Sequence, residues 1–270
     1  MISRKQIEYV IFDMDGKYLK RYRTLIATNA SQGLMIDSEG VYTQVTSNSP
    51  KDSLRSTSNR NSIDDILAPF GKVMTWEMKA GCMGRRMSLP FLLPQSSVIQ
   101  VTYLAEREAA EHLLSYFPDI DLSVEAYLTK RNIAQDLAWP KVQLLPGVKK
   151  LVQHLKKHTI SMAVATSSRR AKYELKTGHH QDVFGAFGER VVCGDDASVK
   201  KGKPAPDVFL VAARQLLGSK VGEGAVDECS DDEKVMRGKG LVFEDAIPGV
   251  QAGKRAGMSG TSRSIYHTCN

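Results

Sequence analysis

The amino-acid sequence predicts an α/β protein: a parallel sheet covered by helices on both faces, with a helical stretch between the first strand and the rest. Three observations carry this prediction. Glu8-Tyr9-Val10-Ile11-Phe12 is a strand-forming run that ends in Asp13-Met14-Asp15-Gly16. From Leu145 onward, strand and helix patterns alternate at the spacing of βαβ units. Between these parts, residues 39–140 carry helical rather than strand periods.

The first strand delivers two acids at its C-terminal end, and the crevice beyond the strand ends of a parallel sheet is where ligands bind. Taken alone, Asp-x-Asp-Gly reads equally well as a turn. Residues 17–33 are basic, lack an apolar period and end in the turn-like Thr28-Asn29-Ala30-Ser31-Gln32-Gly33, so they read as loop. Residues 47–62, rich in Ser, Asn and Arg, and residues 87–103, with two prolines and no charge, read as further irregular insertions. Around them, Asp64–Phe70, Trp76–Met83, Ala105–Tyr116 and Val124–Ala138 read as amphipathic helices.

In the second half, Pro146-Gly147 opens a helix with Val148, Leu151, Val152 and Leu155 on one face. A strand over Ile160–Ala165, a helix over Arg169–Thr177 and a short strand over Arg190–Cys193 follow. Asp207–Leu217 is the next helix, with Pro206 near its start, and the polar Gly222–Asp232 stretch reads as a surface loop without a catalytic role. Gly240–Phe243 is the last strand expected and Ala246–Ala256 the last helix. Such alternation implies right-handed crossovers and a Rossmann-like core.

At 270 residues, 42% hydrophobic and 25% charged, the chain can bury a sizeable core. Ser3, Arg4, Lys5 and Glu8 interrupt any signal-peptide apolar region, and no run approaches the roughly 18 apolar residues of a membrane span. A cytoplasmic monomer without membrane attachment is the expectation. Cys82, Cys193, Cys229 and Cys269 show no C-x-x-C spacing, which argues against a zinc site or a disulfide framework. The net charge of +7 invites a nucleic-acid partner. It is concentrated in Lys17, Lys20, Arg21 and Arg23, in Lys51, Arg55 and Arg60 against Asp52, and in Arg263. The remainder of the chain is neutral, and no nucleic-acid partner is expected.

Three further segments complete a set with Asp13 and Asp15: Val164-Ala165-Thr166-Ser167-Ser168, Gly202-Lys203-Pro204-Ala205-Pro206-Asp207 and Leu241-Val242-Phe243-Glu244-Asp245. Singly, these read as a helix cap, a surface lysine and an N-cap pair. In this order they resemble motifs I to IV of the haloacid dehalogenase-like (HAD) hydrolases. The span from Leu145 to Met258, Phe12–Gly16 and the Asp37-Ser38-Glu39 piece are more closely similar to the small sugar-phosphate phosphatases of that superfamily, the group that includes pseudouridine-5′-phosphatase. The resemblance implies a core of residues 1–38 and 141–270 and a helical cap over 39–140 that closes over the site. It also implies a further C-terminal core strand, which the sequence lacks after Met258.

A phosphatase mechanism follows from the resemblance. Asp13 is the expected nucleophile, forming an aspartyl-phosphate, and Asp15 the acid that protonates the leaving oxygen and then activates water. Thr166 and Ser167 are expected to bind the phosphoryl oxygens, with Lys203 offsetting the negative charge. An all-oxygen site suits Mg²⁺, held by the Asp13 side chain, the Asp15 backbone carbonyl and the acids of the fourth motif, Asp245 ahead of Glu244. The substrate class implied is a small phosphorylated sugar, polyol or nucleoside. Asp15 sets a phosphatase apart from a dehalogenase, which needs no leaving-group acid there. A sugar-phosphate mutase shares all of these residues, and a protein impaired by its insertions and short C-terminus is the non-catalytic alternative. Arg85 and Arg86 are candidate substrate contacts, with surface charge as the competing reading.

Overall fold

The computed structural model describes residues 7–15, 35, 66–71 and 107–261. The insertions expected at 17–33, 47–62 and 87–103, the helix expected at Trp76–Met83, Arg85 and Arg86 all lie outside the described residues. The chain divides into two compact units, Met1–Ser38 with Val142–Asn270, and Glu39–Lys141.

The first unit is built on β1 (Tyr9–Phe12), whose four residues are all buried. Such a run belongs in the centre of a parallel sheet, where both faces are covered. β1 pairs in parallel with β2 (Ser161–Ala165) on one edge and with β4 (Gly240–Phe243) on the other. β3 (Val191–Val192) extends the sheet beyond β2, and β5 (Ser259–Thr261) extends it beyond β4. The strand order is β3-β2-β1-β4-β5. The expected parallel sheet is therefore present.

Alternation sends the side chains of β1 to opposite faces. Tyr9 and Ile11 enter a core with Ala163, Val192, Phe209, Ala213 and Val242. Phe12 stacks on Phe243 at 5.0 Å between ring centroids and meets Phe187 edge-on at 6.0 Å. Each large side chain buried in this way contributes about 1.5–3 kcal/mol. Met35, fully buried, joins the chain just after β1 to Leu145: its N–H donates to Met14 O and its carbonyl accepts from Leu145 N.

In the second unit, residues 107–114 form a helix, α1, and Val124–Ala138 forms α2. Ser123 caps α2 by accepting from Ala126 N at 3.1 Å. Ile66, Leu67, Ala110, Leu113, Phe117, Tyr127 and Leu128 make a core of their own.

In the first unit the helices are α3 (Val148–Lys157), α4 (Arg170–Thr177), α5 (Gln181–Phe184), α6 (Asp207–Leu217), α7 (Asp231–Gly238) and α8 (Ile247–Arg255). Gly147 starts α3 in the left-handed region, with φ 89°. α6 packs across β1, β2 and β3, and α8 against β5 and α6. Among the described residues no helix is long and apolar enough to cross a membrane.

Two elements depart from the sequence reading. α7 begins inside the stretch expected to be a loop, because Ser230 and Glu233 form a capping box that starts a helix on an acidic, otherwise loop-like sequence. β5 lies directly after Met258, where the sequence reading takes a core strand to be missing; its three residues with a central glycine carry no readable period, and pairing with β4 makes the strand. The sheet thus runs one strand beyond Gly240–Phe243.

Candidate active site

In this strand order the chain leaves β1 in one direction to β2 and β3 and returns to the other edge as β4 and β5. The switch point lies between β1 and β4, where ligand crevices of open α/β sheets form. Asp13 follows β1 there and Glu244 follows β4, and Asp13 N donates to Phe243 O at 2.9 Å.

Lys203, in the turn before α6, reaches both acids. Its Nζ donates to Asp13 Oδ1 at 2.6 Å, Glu244 Oε1 at 2.8 Å and Ala165 O at 3.3 Å, and it lies 4.7 Å from the centre of the Phe209 ring. All three charged side chains are nearly out of contact with solvent. Burial opposes the Lys203 charge, yet Asp13 and Glu244 outweigh it and hold the ammonium above the ordinary lysine range. Asp13 is driven the other way. Burial pushes its carboxyl well above the usual aspartate range, Lys203 opposes the rise, and Glu244 and Asp15 add to it. One lysine does not fully offset this concentration of acid.

An oxygen from each of Asp13, Glu244 and Asp245 lies within 4.8 Å of the others, a spacing that suits a metal ion. The three donors are carboxylates, as a hard divalent cation such as Mg²⁺ prefers, and the pressure on Asp13 is the kind that a second positive charge relieves. The donors fit the cation, though unequally. Glu244 is committed: Oε1 accepts from Lys203, and Oε2 accepts from Asp245 N at 2.7 Å and Ala246 N at 2.9 Å. Asp245 is exposed at the start of α8.

Asp15 stands in a second cluster. Its Oδ1 accepts from Lys176 Nζ at 2.7 Å, and its Oδ2 accepts from Ser168 Oγ at 2.9 Å and, at 3.4 Å, from Thr166 Oγ1. Thr166 is fully buried at the end of β2 and also accepts from Ser168 N at 3.0 Å. Ser167 is exposed, and the neighbouring Ser168 is the residue that meets Asp15. Asp13, Glu244 and Lys203 thus form one group, and Asp15 and Thr166 belong to another with Ser168 and Lys176.

Those last two residues were not singled out from the sequence as site residues. Ser168 stands in the hydroxyl run and differs from Ser167 only in which way the turn points it. Lys176, in the last turn of a short polar helix, has every local mark of a solvated surface lysine.

The fold and the two acid-lysine groups define a hydrolase of the haloacid dehalogenase type. Residues 7–257 match the family described as haloacid dehalogenase-like hydrolase, and the chain belongs to that family. It is 34% identical over 258 residues to (DL)-glycerol-3-phosphatase 2 of Arabidopsis thaliana, covering 95% of this chain and 79% of that one. A probable pseudouridine-5′-phosphatase of Drosophila melanogaster is 30% identical over 254 residues, covering 94% and 80%. A HAD family hydrolase of Deinococcus radiodurans R1, solved with bound phosphate and sodium, shares the fold with a TM-score of 0.55 at 17% identity, covering 95% and 80%. The chain is a phosphoric monoester hydrolase of this family.

Proposed function

We propose that the chain hydrolyses a small phosphomonoester of the sugar, polyol or nucleoside class, through an aspartyl-phosphate on Asp13 and with Mg²⁺ bound at the switch point. The observation that carries this reading is Lys203 held between Asp13 and Glu244 at the ends of β1 and β4. The phosphatase names of the relatives support the substrate class.

Asp13 attacks phosphorus, the bond to the leaving oxygen breaks, and Asp15 gives that oxygen its proton. Asp15, now a carboxylate, takes a proton from water as the water attacks the phosphoryl group. The bond to Asp13 breaks, orthophosphate leaves, and both acids return to their starting forms. Lys203 holds Asp13 in place and balances charge as the attack proceeds. Thr166 and Ser167 are read as the residues whose hydroxyls and turn amides bind phosphoryl oxygens. Asp13, Asp245, Glu244 and the Asp15 carbonyl would hold the Mg²⁺, which when bound neutralises charge on the phosphoryl oxygens.

On this reading residues 39–140 are the cap that selects the substrate, acting with a monomeric cytoplasmic core, and nucleic acid is not a partner. The test is phosphate release from a panel of glycerol 3-phosphate, hexose phosphates and pyrimidine nucleoside 5′-phosphates, with Mg²⁺. Release from at least one panel member, abolished by Asp13→Asn in folded protein, is expected. Full turnover by Asp13→Asn would rule out Asp13 as nucleophile, and conversion of a hexose phosphate to its isomer without phosphate release would mark a mutase.

A further inference from the structure

Lys176 is 1% exposed, although it lies in the last turn of α4, a helix whose other residues are mostly polar. Drawing a lysine out of water is costly unless the ammonium finds an opposite charge and further acceptors. It finds both here. Nζ donates to Asp15 Oδ1 at 2.7 Å and to Ser168 Oγ at 3.0 Å, and Ser168 Oγ donates in turn to Asp15 Oδ2 at 2.9 Å. The three side chains close a ring in which each carboxylate oxygen has its own donor, so the plane of the carboxylate is fixed as well as its place. The two lysines also divide the work, Lys203 serving Asp13 and Glu244 while Lys176 serves Asp15.

We propose that Lys176, acting with Ser168, is the positioning residue for proton transfer by Asp15. The proposal rests on the reading of Asp15 as leaving-group acid. As Asp15 passes its proton to the leaving oxygen, the carboxylate that forms is the form that Lys176 and Ser168 hold, and their grip keeps the acid aligned on that oxygen. Orientation of this kind matters because a small misplacement of a reacting group costs on the order of a hundredfold in rate.

The readout is the ratio of kcat for an alkyl phosphate to kcat for p-nitrophenyl phosphate, measured in one preparation with Mg²⁺. An alkoxide needs a proton to leave and a nitrophenolate does not, whereas a loss of folded enzyme lowers both rates together and cancels in the ratio. Lys176→Met is expected to lower the ratio by about a hundredfold, and Asp15→Asn by at least as much. The double variant is expected to add nothing to Asp15→Asn. An unchanged ratio in Lys176→Met beside a lowered one in Asp15→Asn overturns the proposal alone. An unchanged ratio in Asp15→Asn overturns the reading of Asp15 beneath it. Should Lys176→Met turn over neither ester, Ser168→Ala decides by the same ratio, a lowered value supporting the proposal and an unchanged one refuting it.

Discussion

Asp13 is poised against its own environment, because burial raises the proton affinity of the group proposed to attack as an anion. A carboxyl whose folded pKa lies above its unfolded one adds stability in full below the unfolded value, and that stability is lost as pH rises through the folded value. In chelator, the wild-type chain should therefore lose stability relative to Asp13→Asn from about pH 4 upward. Urea midpoints of the two proteins at low and neutral pH check this, and a constant difference would refute it. Cys193 follows the same sign for a different purpose. Burial pushes its thiol from 9.0 up to about 12, so its contribution is complete below the unfolded value and is lost as pH rises through about 12. It should resist alkylation in the folded protein at mildly alkaline pH, as peptide mass mapping would show, and its lack of any C-x-x-C partner fits a structural thiol.

At the scale of elements, the first turn of α8 is shaped around the site. A Cβ on Gly249 would run into the Glu244 carboxylate that Lys203 holds. Gly249→Ala gains up to about 1 kcal/mol of helix propensity, yet it displaces the Lys203 partner. The expected outcome is little change in melting temperature with a fall in turnover of about tenfold or more, and unchanged kcat would show that Glu244 can move without consequence. α7 provides the contrast. Ser230→Ala removes a capping box and should cost about 1 kcal/mol of stability while leaving kcat as it was, because that helix carries none of the site residues. β4 shows close fitting of a purely structural kind: Gly240 faces Tyr9 across the pair and leaves room for its ring, whose hydroxyl donates to Arg237 O at 3.2 Å.

For the whole molecule, the acids gathered at the switch point, which Lys203 only partly offsets, would couple binding of a cation to folding. A cation that binds only the folded state stabilises it by about 2.7 kcal/mol at a hundred times its dissociation constant. Saturating Mg²⁺ should raise the melting temperature of the wild-type chain, and should do so less in Asp245→Asn, since Asp245 is the exposed acid of the cluster and Glu244 is already engaged. Equal shifts in both proteins would remove Asp245 from the ligand set. Excess chelator should abolish phosphate release, and turnover that persists in it would overturn the Mg²⁺ assignment.

The sequence by itself determined the central parallel sheet, because an all-buried strand such as Tyr9–Phe12 and the regular alternation after Leu145 are local patterns that burial on both faces demands. It also marked Asp13, Asp15, Thr166, Lys203 and Glu244-Asp245, through the resemblance of four segments taken in order, since singly they read as a turn, a helix cap, a surface lysine and an N-cap pair. Only the tertiary structure decided how these residues group. Lys203 is brought to Asp13 across 190 positions of sequence and to Glu244 across 41, distances at which no local period carries information. The same holds for Lys176, whose neighbours along α4 are polar and whose ammonium is met by Asp15 and Ser168, 161 and 8 positions away. The strand β5 and the choice of Ser168 over Ser167 rest on sheet pairing and on the direction of a single turn, both fixed by long-range packing rather than by residue type.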